Sequence, residues 1–479
     1  MNLSGLGLRN GISRGQSIDN KYSITLRGAR NIQLSACEKH ADVDNIVHVL
    51  RQRGLIQEVT SDELEKVSAS ESMSVYCGFD PTADSLHLGN LLGIIVLSWF
   101  QRCGHKPVAL LGGATGRVGD PSGRSTERPV LTENEIEGNV QAIGRLLKDI
   151  LQRNSALHGQ SEDTVKVVNN LDWFKGISFL SFLRDVGKYA RVGTMLAKDS
   201  VKTRLESEQG ISFTEFTYQL LQGYDFVHLC KEEGVRVQVG GSDQWGNITA
   251  GTDLIRRLLG KDDGSQEPPS CFGLTFPLLV DSEGRKFGKS VGGAIWLSAE
   301  RLSPYKFYQY LFAVTDADVI KFLRMLTFLS LDEIAGMEAS MSQPGYVPNT
   351  VQRKLAEEVT RFVHGEEGLK QALQATEALK PGSNTKLDAQ TLEAVAADAP
   401  SASLSKEQVV GLPLVDLMVT VGLQSSKGQG RKLIKGGGVY LNNQKVSEEF
   451  LAVKEEDLID GKMLLIAAGK KNKMLVKLN

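Results

Sequence analysis

Residues 73–104 decide the fold, and they read MSVYCGFDPTADSLHLGNLLGIIVLSWFQRCG. The opening stretch, 73–80, is short and mostly apolar, which is typical of a buried strand. A polar turn at 80–90 leads into an apolar segment that ends at Gly104. The pattern predicts a strand, a turn and a buried helix, with His87 and Asn90 in the first turn of the helix. Free backbone N–H groups at that end of a helix favour anions.

The same kind of strand recurs at 107–113, 165–170 and 235–241, with helical stretches between. Apolar strands that alternate with helices predict a parallel sheet covered on both faces. Each strand is followed by a cluster of polar residues or glycine: DPTADSLHLGN (80–90), ATGRVGDPSGR (114–124), LDW (171–173) and SDQWGN (242–247). Ligands of open α/β sheets bind beyond the carboxyl ends of the strands. We therefore expect these four segments to form one pocket.

The composition is that of an ordinary globular protein, with 479 residues, a net charge of −2 and 41% hydrophobic residues. It excludes collagen-like, disordered and disulfide-scaffold classes. No apolar run approaches the ~18 residues of a membrane span. The five cysteines contain no CxxC pair and the seven histidines form no cluster, so the sequence predicts no protein-bound metal.

Both ends of the chain are basic. Residues 1–36 carry five basic residues against Asp19 alone, are rich in serine and glycine, and lack an apolar core. This composition favours an organelle transit peptide over a secretory signal, while an inert tail is the alternative. Residues 411–479 carry eleven basic and seven acidic residues. A basic terminal domain on a more acidic body is one pattern of enzymes that hold nucleic acid at one place.

The basic terminal domain has a readable local pattern. A helix is predicted from Leu414 to Val421, and a second one after Ser425 or Ser426. The second helix would expose Lys427, Arg431, Lys432 and Lys435. VYLNNQKV then predicts a hairpin that turns at Asn442-Asn443. A phosphate backbone would fit such a cationic face, although a solvated lysine helix has the same pattern.

The middle of the chain is predicted to be helical from about 324 to 385. Ser330 and Glu333 are spaced as a capping box. Asn349 or Thr350 is expected to cap a longer helix. Its apolar face is predicted to contain Val351, Leu355, Val359, Phe362 and Val363. Between about 381 and 410 the chain is rich in proline, glycine, alanine and serine, which is typical of a linker.

Two glycine-rich segments imitate nucleotide motifs. GGATGRVG (112–119) has glycines like those of a dinucleotide fingerprint, but it runs into DPSGRSTERP, which cannot start a regular helix. GRKFGKS (284–290) has three residues between its glycines, where a P-loop needs four. Both nicotinamide binding and a P-loop NTPase are therefore disfavoured.

Two short motifs carry a family resemblance. HLGN (87–90) and KFGKS (286–290) resemble the paired HIGH and KMSKS signatures of class I aminoacyl-tRNA synthetases. From about Asp44 to the C-terminus, the chain is similar to the tyrosyl-tRNA synthetases of bacteria and organelles. The terminal domain resembles a small RNA-binding fold that the family shares with a ribosomal protein. The similarity rests on YCGFDPTADSLHLGN, GGATGRVGDPSGR, GISFTEFTYQLLQGYDF and VGGSDQWGNI.

The resemblance implies a fold and a domain order. The expected fold class is α/β, with a Rossmann-like parallel-sheet catalytic domain, then an α-helical domain and a small α+β RNA-binding domain. The expected segments are a transit peptide at 1–36, the catalytic domain at 37–300, the helical tRNA-side domain at 301–385, a linker at 386–410 and the RNA-binding domain at 411–479. It further implies a homodimer, with SFTEF (212–216) near the interface, located in a mitochondrion or a chloroplast.

The implied reaction joins tyrosine to tRNA-Tyr in two steps. Tyrosine and ATP, accompanied by Mg²⁺, give tyrosyl-adenylate and pyrophosphate, and the tyrosyl group then passes to the terminal adenosine of the tRNA. No protein nucleophile takes part, so catalysis consists of positioning and charge stabilisation. By resemblance, Tyr76 and Asp225 bind the phenol hydroxyl of the substrate. Phenylalanine would leave such buried polar groups unpaired.

The resemblance assigns further residues to each substrate. Tyrosine would be bound by Tyr76, Asp120, Asn170, Tyr218, Gln222, Asp225, Gln238 and Gln244. ATP would be bound by Cys77, Gly78, Asp80, His87, Gly241, Asp243 and Lys289. The catalytic set would consist of His87, Asn90, Lys286, Lys289, Arg124, Arg128 and Thr82. The tRNA would be bound by Lys427, Arg431, Lys432 and Lys435.

The chain departs from both common signatures at positions that bear on the chemistry. Asn90 stands where HIGH has its second histidine, and Phe287 and Gly288 replace the Met and Ser of KMSKS. Both signature lysines are retained. Two alternatives are a tryptophanyl-tRNA synthetase, which would not need a Tyr76/Asp225 pair, and an RNA-binding scaffold such as a group I intron splicing helper.

Overall fold

The computed structural model describes residues 45–479, except 125, 130, 158–164, 261–266, 291–292, 384–386, 388, 390–391, 394–399 and 470–471. The segment expected to be a transit peptide, 1–36, lies outside the described residues. Within the described ranges, no helix is both long and apolar enough to cross a bilayer.

A six-stranded sheet forms the centre of the first part of the described chain. Its order is β1-β6-β5-β2-β3-β4, and its strands are β1 (Glu58–Val59), β2 (Ser74–Phe79), β3 (Lys106–Leu111), β4 (Lys166–Asn169), β5 (Val235–Gly241) and β6 (Phe272–Phe276). All neighbours pair in parallel except β1, which is antiparallel to β6. The four predicted strands are confirmed as β2, β3, β4 and β5. β6 was not predicted, although all five of its residues are buried.

Helices cover this sheet and extend beyond it. The helices that accompany the sheet are α1 (Ile46–Gln52), α2 (Glu63–Ser70), α3 (Leu88–Arg102), α4 (Glu133–Leu157), α5 (Leu171–Phe174), α6 (Phe179–Asp185), α7 (Val192–Leu196), α8 (Asp199–Leu205), α9 (Phe213–Glu233) and α10 (Trp245–Leu259). A two-stranded ribbon, β7 (Lys289–Ser290) and β8 (Gly293–Ala294), follows β6. α3 is the predicted buried helix, and its residues from Leu91 to Gln101 are all buried.

The direction of the chain reverses at the middle of the sheet. From β2 the chain moves outward through β3 and β4, and it then returns to add β5 on the other side of β2. The carboxyl ends of β2 and β5 therefore form the switch point, where doubly wound sheets open a ligand crevice. The turn into α3 and the segment 242–247 leave the sheet at this place.

A helical layer follows the sheet domain. It consists of α11 (Pro304–Phe312), α12 (Asp316–Leu326), α13 (Leu331–Met341) and α14 (Thr350–Ala378). The capping box of Ser330 and Glu333 is confirmed, because each side chain bonds the backbone N–H of the other. α14 begins at Thr350, but the side chain of Asn349 makes no capping hydrogen bond. Its expected apolar face is buried, with Phe362 half-buried.

The terminal domain is a second, smaller α+β unit. Its sheet has the order β11-β10-β12-β13-β9, with β9 (Ser401–Leu404), β10 (Val439–Leu441), β11 (Gln444–Lys445), β12 (Met463–Ala468) and β13 (Asn472–Leu478). Three short helices accompany it, Lys406–Val409, Leu414–Thr420 and Lys427–Lys435. The hairpin turn is confirmed, since Asn442 and Asn443 have φ angles of 48° and 66°, as a type I′ turn requires.

The expected linker at 386–410 is wrong in its second half. Ser401–Leu404 forms β9, which pairs in parallel with β13. Val409 is fully buried in the core of the terminal domain. The sequence SASL carries no strand signal of its own, and β13 supplies the hydrogen bonds that make it a strand. The terminal domain therefore includes residues 401–410 and does not begin at 411.

Candidate active site

A cavity of about 450 Å³ opens at the carboxyl ends of β2 and β5. Nineteen residues expected at the catalytic centre line it, and they are Tyr76, Cys77, Gly78, Asp80, Thr82, His87, Asn90, Asp120, Arg124, Arg128, Tyr218, Gln222, Asp225, Gln238, Gly241, Asp243, Gln244, Lys286 and Lys289. They come from β2 and β5 themselves, from the polar segments after β2, β3 and β5, from one face of α9 and from the loop after β6. Asn170 is the one expected residue that does not line the cavity.

Two almost fully buried polar groups line the cavity, Tyr76 and Asp225. The Tyr76 hydroxyl is buried and has no hydrogen-bond partner among the described residues. Asp225 is 1% exposed, and its carboxylate accepts hydrogen bonds from Asn170 Nδ2 at 3.0 Å and Trp173 Nε1 at 2.9 Å. Burial raises the pKa of Asp225 to about 8, and the two hydrogen bonds oppose that rise. This end of the cavity can pair with one hydroxyl group on an otherwise apolar ligand.

Asn170 and Trp173 act behind the cavity wall and hold Asp225. The Asn170 side chain also accepts a hydrogen bond from Ala114 N at 2.6 Å and donates one to Thr115 at 3.0 Å. Trp173 was not among the expected site residues. The sequence did indicate a role for it, because Trp173 belongs to the segment LDW, which follows β4 at the edge of the sheet where ligands bind.

The middle of the cavity is acidic. Asp80 accepts hydrogen bonds from Thr115 and from the hydroxyl of Tyr218, both at 2.8 Å. Asp120 accepts hydrogen bonds from Ser122 N at 2.9 Å and Gln244 Nε2 at 2.8 Å. Burial, and then the charge of Asp120, raise the pKa values of both Asp80 and Asp243. A cationic group is the natural complement of these closely spaced carboxylates.

His87 is the N-cap of α3. Its Nδ1 accepts a hydrogen bond from Gly89 N at 3.1 Å, and Asn90 Oδ1 accepts one from His87 N at 3.1 Å. With Nδ1 as an acceptor, Nε2 carries the proton, and the Nδ2 hydrogens of Asn90 remain as donors. A Cβ atom at Gly89 would lie 3.0 Å from the His87 ring, so the bare backbone at this position permits the cap. Two neutral donors thus flank a helix N-terminus, which is an anion site.

Four basic side chains complete this end of the cavity. Arg128 donates a hydrogen bond from Nε to Asp120 O at 3.3 Å, and the charge of Arg128 adds to burial in lowering the pKa of Arg124. Burial lowers the pKa of His87, and the charge of Lys289 contributes to this effect. The charge of Lys286 partly opposes the raised pKa of Asp243. Lys289 therefore acts on His87 and Lys286 acts on Asp243, and both lysines line the cavity.

The predicted tRNA-binding residues lie on the exposed side of the helix Lys427–Lys435, away from the cavity. Lys427 forms an ion pair with Asp416 at 2.9 Å, and Lys435 forms one with Glu449 at 3.1 Å. The Arg431 guanidinium lies 5.4 Å from the ring centre of Phe450. The groups are brought together on one face, but two of the four charges are already paired.

Among the described residues, no three His, Cys, Asp or Glu side chains are grouped so that they could hold a metal ion. Cys77 is buried, and burial raises the pKa of its thiol to about 12. It therefore faces the cavity as a neutral, weak hydrogen-bond donor.

Two family models match the chain. One describes class I tRNA synthetases (W and Y) and matches residues 68–379, and the other describes the tyrosine–tRNA ligase SYY-like C-terminal domain and matches residues 391–476. Over 438 residues, the chain is 59% identical to a chloroplastic/mitochondrial tyrosine–tRNA ligase of Arabidopsis thaliana, which covers 91% of this chain and 84% of the relative. It is 54% identical to the tyrosine–tRNA ligase of Protochlamydia amoebophila, over 91% of this chain and 99% of the relative.

A solved structure has the same fold. The C-terminally truncated mitochondrial tyrosyl-tRNA synthetase of Aspergillus nidulans superimposes with a TM-score of 0.62 and 34% sequence identity. The match covers 68% of this chain and 92% of the fungal chain.

Proposed function

The chain belongs to the class I tyrosyl-tRNA synthetases and is a tyrosine–tRNA ligase. On this basis we propose which part of the cavity binds tyrosine and which part binds ATP. The ring of tyrosine enters between β2 and α9, where its hydroxyl donates to Asp225 and accepts from Tyr76. The α-ammonium lies among Asp120, Tyr218 and Gln222. Gln238 and Gln244 orient the rest of the amino acid. The observation that carries this proposal is the unpartnered buried hydroxyl of Tyr76 beside the carboxylate of Asp225.

ATP occupies the other half of the cavity. Its ribose lies against Cys77, Gly241 and Asp243, and Asp80 and Thr82 lie near the nucleotide and its phosphates. The phosphates meet the N-terminus of α3, with donors from His87 and Asn90. Mg²⁺ enters with ATP as part of the substrate.

The substrate carboxylate attacks the α-phosphate in line, and pyrophosphate leaves as the P–O bond breaks. His87 Nε2–H and Asn90 Nδ2–H donate to the oxygens on which negative charge grows. Arg124, Arg128, Lys286 and Lys289 stabilise the departing pyrophosphate. Groups already in place for charge that appears only in the transition state lower the barrier without reorganisation. The tyrosyl group then passes to the terminal adenosine of tRNA-Tyr.

Amino-acid-dependent ATP–pyrophosphate exchange with residues 37–479 tests the assignment of the tyrosine and ATP sites. Tyrosine, phenylalanine and tryptophan are compared side by side. We expect exchange with tyrosine alone, because the other two amino acids leave Tyr76 and Asp225 unpaired. Exchange with tryptophan would contradict the assigned ring site. A folded protein without exchange would favour an RNA-scaffold role and implicate Asn90.

A homodimer is supported by an exposed apolar surface. Seven of the eleven large exposed hydrophobic residues in the described ranges lie between 179 and 213, and they are Phe179, Leu180, Leu183, Val192, Leu196, Leu205 and Phe213. A fully buried ion pair joins Arg204 of α8 to Glu215 of α9 at 2.7 Å, so this segment has a defined shape. Concentrated apolar surface of this kind is typical of protein–protein contacts. We place the second subunit here.

Replacing Leu180 and Phe213 together with aspartate is expected to give a monomer. The two side chains are 77% and 67% exposed, so their loss in the free subunit changes little else. Analytical ultracentrifugation at several concentrations measures the result. Val347→Asp is the matched control, because Val347 is 66% exposed but lies outside the segment. Equal sedimentation of both variants would contradict the interface.

The terminal domain is proposed to bind tRNA through the helix Lys427–Lys435. Arg431 and Lys432 are both exposed, and neither is in an ion pair with a carboxylate in the described part of the chain. Phosphate contacts of this kind add affinity without sequence preference. The domain rests on the end of α14, where Asn443 Nδ2 donates to Ala378 O at 2.6 Å.

Reversing Arg431 and Lys432 to glutamate is expected to raise KM for tRNA-Tyr about tenfold or more and to leave ATP–pyrophosphate exchange unchanged. The slope of a plot of the logarithm of the tRNA-binding constant against the logarithm of the salt concentration should also become less steep, by about one for each lost phosphate contact. Lys454→Glu with Lys462→Glu is the control, since it makes the same charge change elsewhere on the domain. If both double variants lose tRNA affinity equally, total charge and not this helix is responsible.

An organellar location is proposed from the composition of residues 1–36 and from the name of the Arabidopsis relative. Import of the full chain, compared with residues 37–479, into isolated mitochondria and chloroplasts would separate the two organelles. Failure of both to import the full chain would contradict the transit function of residues 1–36.

A further inference from the structure

The loop that carries both signature lysines rests on the helical layer. We call residues 279–289 the signature loop. It folds back on itself, with Phe287 N bonded to Leu279 O at 2.8 Å. Two side-chain contacts then attach it to α12, from Lys321 Nζ to Val280 O at 2.7 Å and from Ser282 Oγ to Asp318 Oδ2 at 3.2 Å. The base of the loop is therefore positioned by helices outside the sheet domain.

Phe287 anchors the centre of the signature loop. Its ring centre lies 4.2 Å from that of Phe322 on α12 and 5.0 Å from that of Tyr310 on α11. Aromatic contacts of this kind stabilise beyond the area they bury. The phenylalanine that replaces the usual methionine of the signature thus packs against two aromatic rings of the helical layer, those of Phe322 and Tyr310.

Two hydrogen bonds hold the backbone of the loop at Gly288, and in one of them Ile295 N donates to Gly288 O at 2.9 Å. Gly288 N donates to the hydroxyl of Tyr310 at 2.9 Å. Gly288 has a φ of 103°, and a Cβ atom there would lie 3.1 Å from Leu88 Cβ. This backbone geometry favours glycine where the common signature has serine. Gly288 lies between Lys286 and Lys289, so its backbone direction sets where both lysines start.

We propose that Tyr310 is a positioning residue for tyrosyl-adenylate formation, because its hydroxyl holds Gly288 and keeps Lys286 and Lys289 directed at the departing pyrophosphate. The inference rests on the proposed function, which assigns the pyrophosphate to these lysines. Tyr310 is half-buried, and burial raises the pKa of its hydroxyl. The hydroxyl is therefore neutral at working pH and accepts from Gly288 N through a lone pair. Without it, Gly288 O keeps its hydrogen bond from Ile295 N, but Gly288 N loses its acceptor and the direction of the backbone between the two lysines is less strictly held.

Tyr310→Phe removes only the hydroxyl and keeps the ring against Phe287. We expect the single-turnover rate of tyrosyl-adenylate formation at saturating ATP to fall about three- to tenfold, as the loss of one neutral hydrogen bond implies. The dissociation constant of tyrosine should not change, because the ring site lies at the other end of the cavity. Tyr308→Phe is the matched control, since Tyr308 lies on the same helix and stacks on Phe312 instead.

A double-mutant cycle distinguishes the loss of lysine positioning from a general disturbance of the structure. In a Lys286→Ala/Lys289→Ala background, adding Tyr310→Phe should not lower the rate of tyrosyl-adenylate formation further, because the loop then has no lysine side chain to position. A loss that persists in that background would overturn the inference. So would equal rates for Tyr310→Phe, Tyr308→Phe and the unchanged enzyme, or a parallel fall in tyrosine affinity. If the double lysine variant itself keeps the full rate, the assignment of pyrophosphate to the lysines fails, and the inference fails with it.

Discussion

Asp225→Ala is expected to lower kcat/KM for tyrosine in ATP–pyrophosphate exchange by about 10³-fold. Leaving the buried hydroxyl of the substrate without its acceptor costs about 2–7 kcal/mol, and each 1.4 kcal/mol is about tenfold. The variant also leaves Asn170 Nδ2 and Trp173 Nε1 without their acceptor. Its melting temperature should therefore fall as well. Exchange kinetics with tyrosine and phenylalanine, together with thermal unfolding, measure both effects.

Asp225→Ala is also expected to change the discrimination between tyrosine and phenylalanine. Tyrosyl-tRNA synthetases are themselves the reference case for rejecting phenylalanine by about 10⁵ through an unpaired buried polar site. Asp225→Ala should remove most of the preference for tyrosine over phenylalanine. Asp225→Asn keeps the shape and one acceptor oxygen but puts an amide donor in place of the second oxygen. Its preference for tyrosine should therefore lie between those of the unchanged enzyme and the alanine variant. An unchanged preference in the alanine variant would contradict the role given to Asp225.

His87→Ala is expected to slow tyrosyl-adenylate formation about 10²-fold at saturating tyrosine and ATP. Removing one positioned donor from a developing anion costs about 10²–10³ in rate. The same change removes the N-cap of α3, which contributes about 1 kcal/mol to stability. The tyrosine dissociation constant should stay the same, because the ring site does not involve α3. Rapid-quench single-turnover kinetics and thermal unfolding separate the two losses.

His87→Ser separates the cap from the catalytic donor. Serine is a good N-cap but cannot reach a phosphate as an imidazole does. We expect it to restore the melting temperature and to leave the rate low. A serine variant with the full rate would mean that His87 acts only as a cap.

Local features of this protein were predictable from the sequence. The turn at Asn442-Asn443, the Ser330 capping box and the strands at 73–80 and 235–241 are decided by neighbours a few residues away. Their periods, caps and allowed backbone angles are properties of short segments. The family motifs also indicated which side chains to expect at the cavity, including His87 and Asp225.

Other features exist only because distant segments meet. Trp173 and Asn170 hold Asp225 from more than fifty positions away, and β9 is a strand only because β13 lies beside it. Tyr310 reaches Gly288 because α11 packs under the signature loop. Burial shifts the pKa values of Asp80 and Asp225, and burial is a property of the assembled molecule. The sequence by itself determined the local elements and the chemistry of the groups, because short-range sterics and hydrogen bonds suffice for those. The tertiary structure alone decided which groups share a buried space, because desolvation and long-range hydrogen bonds depend on packing between remote segments.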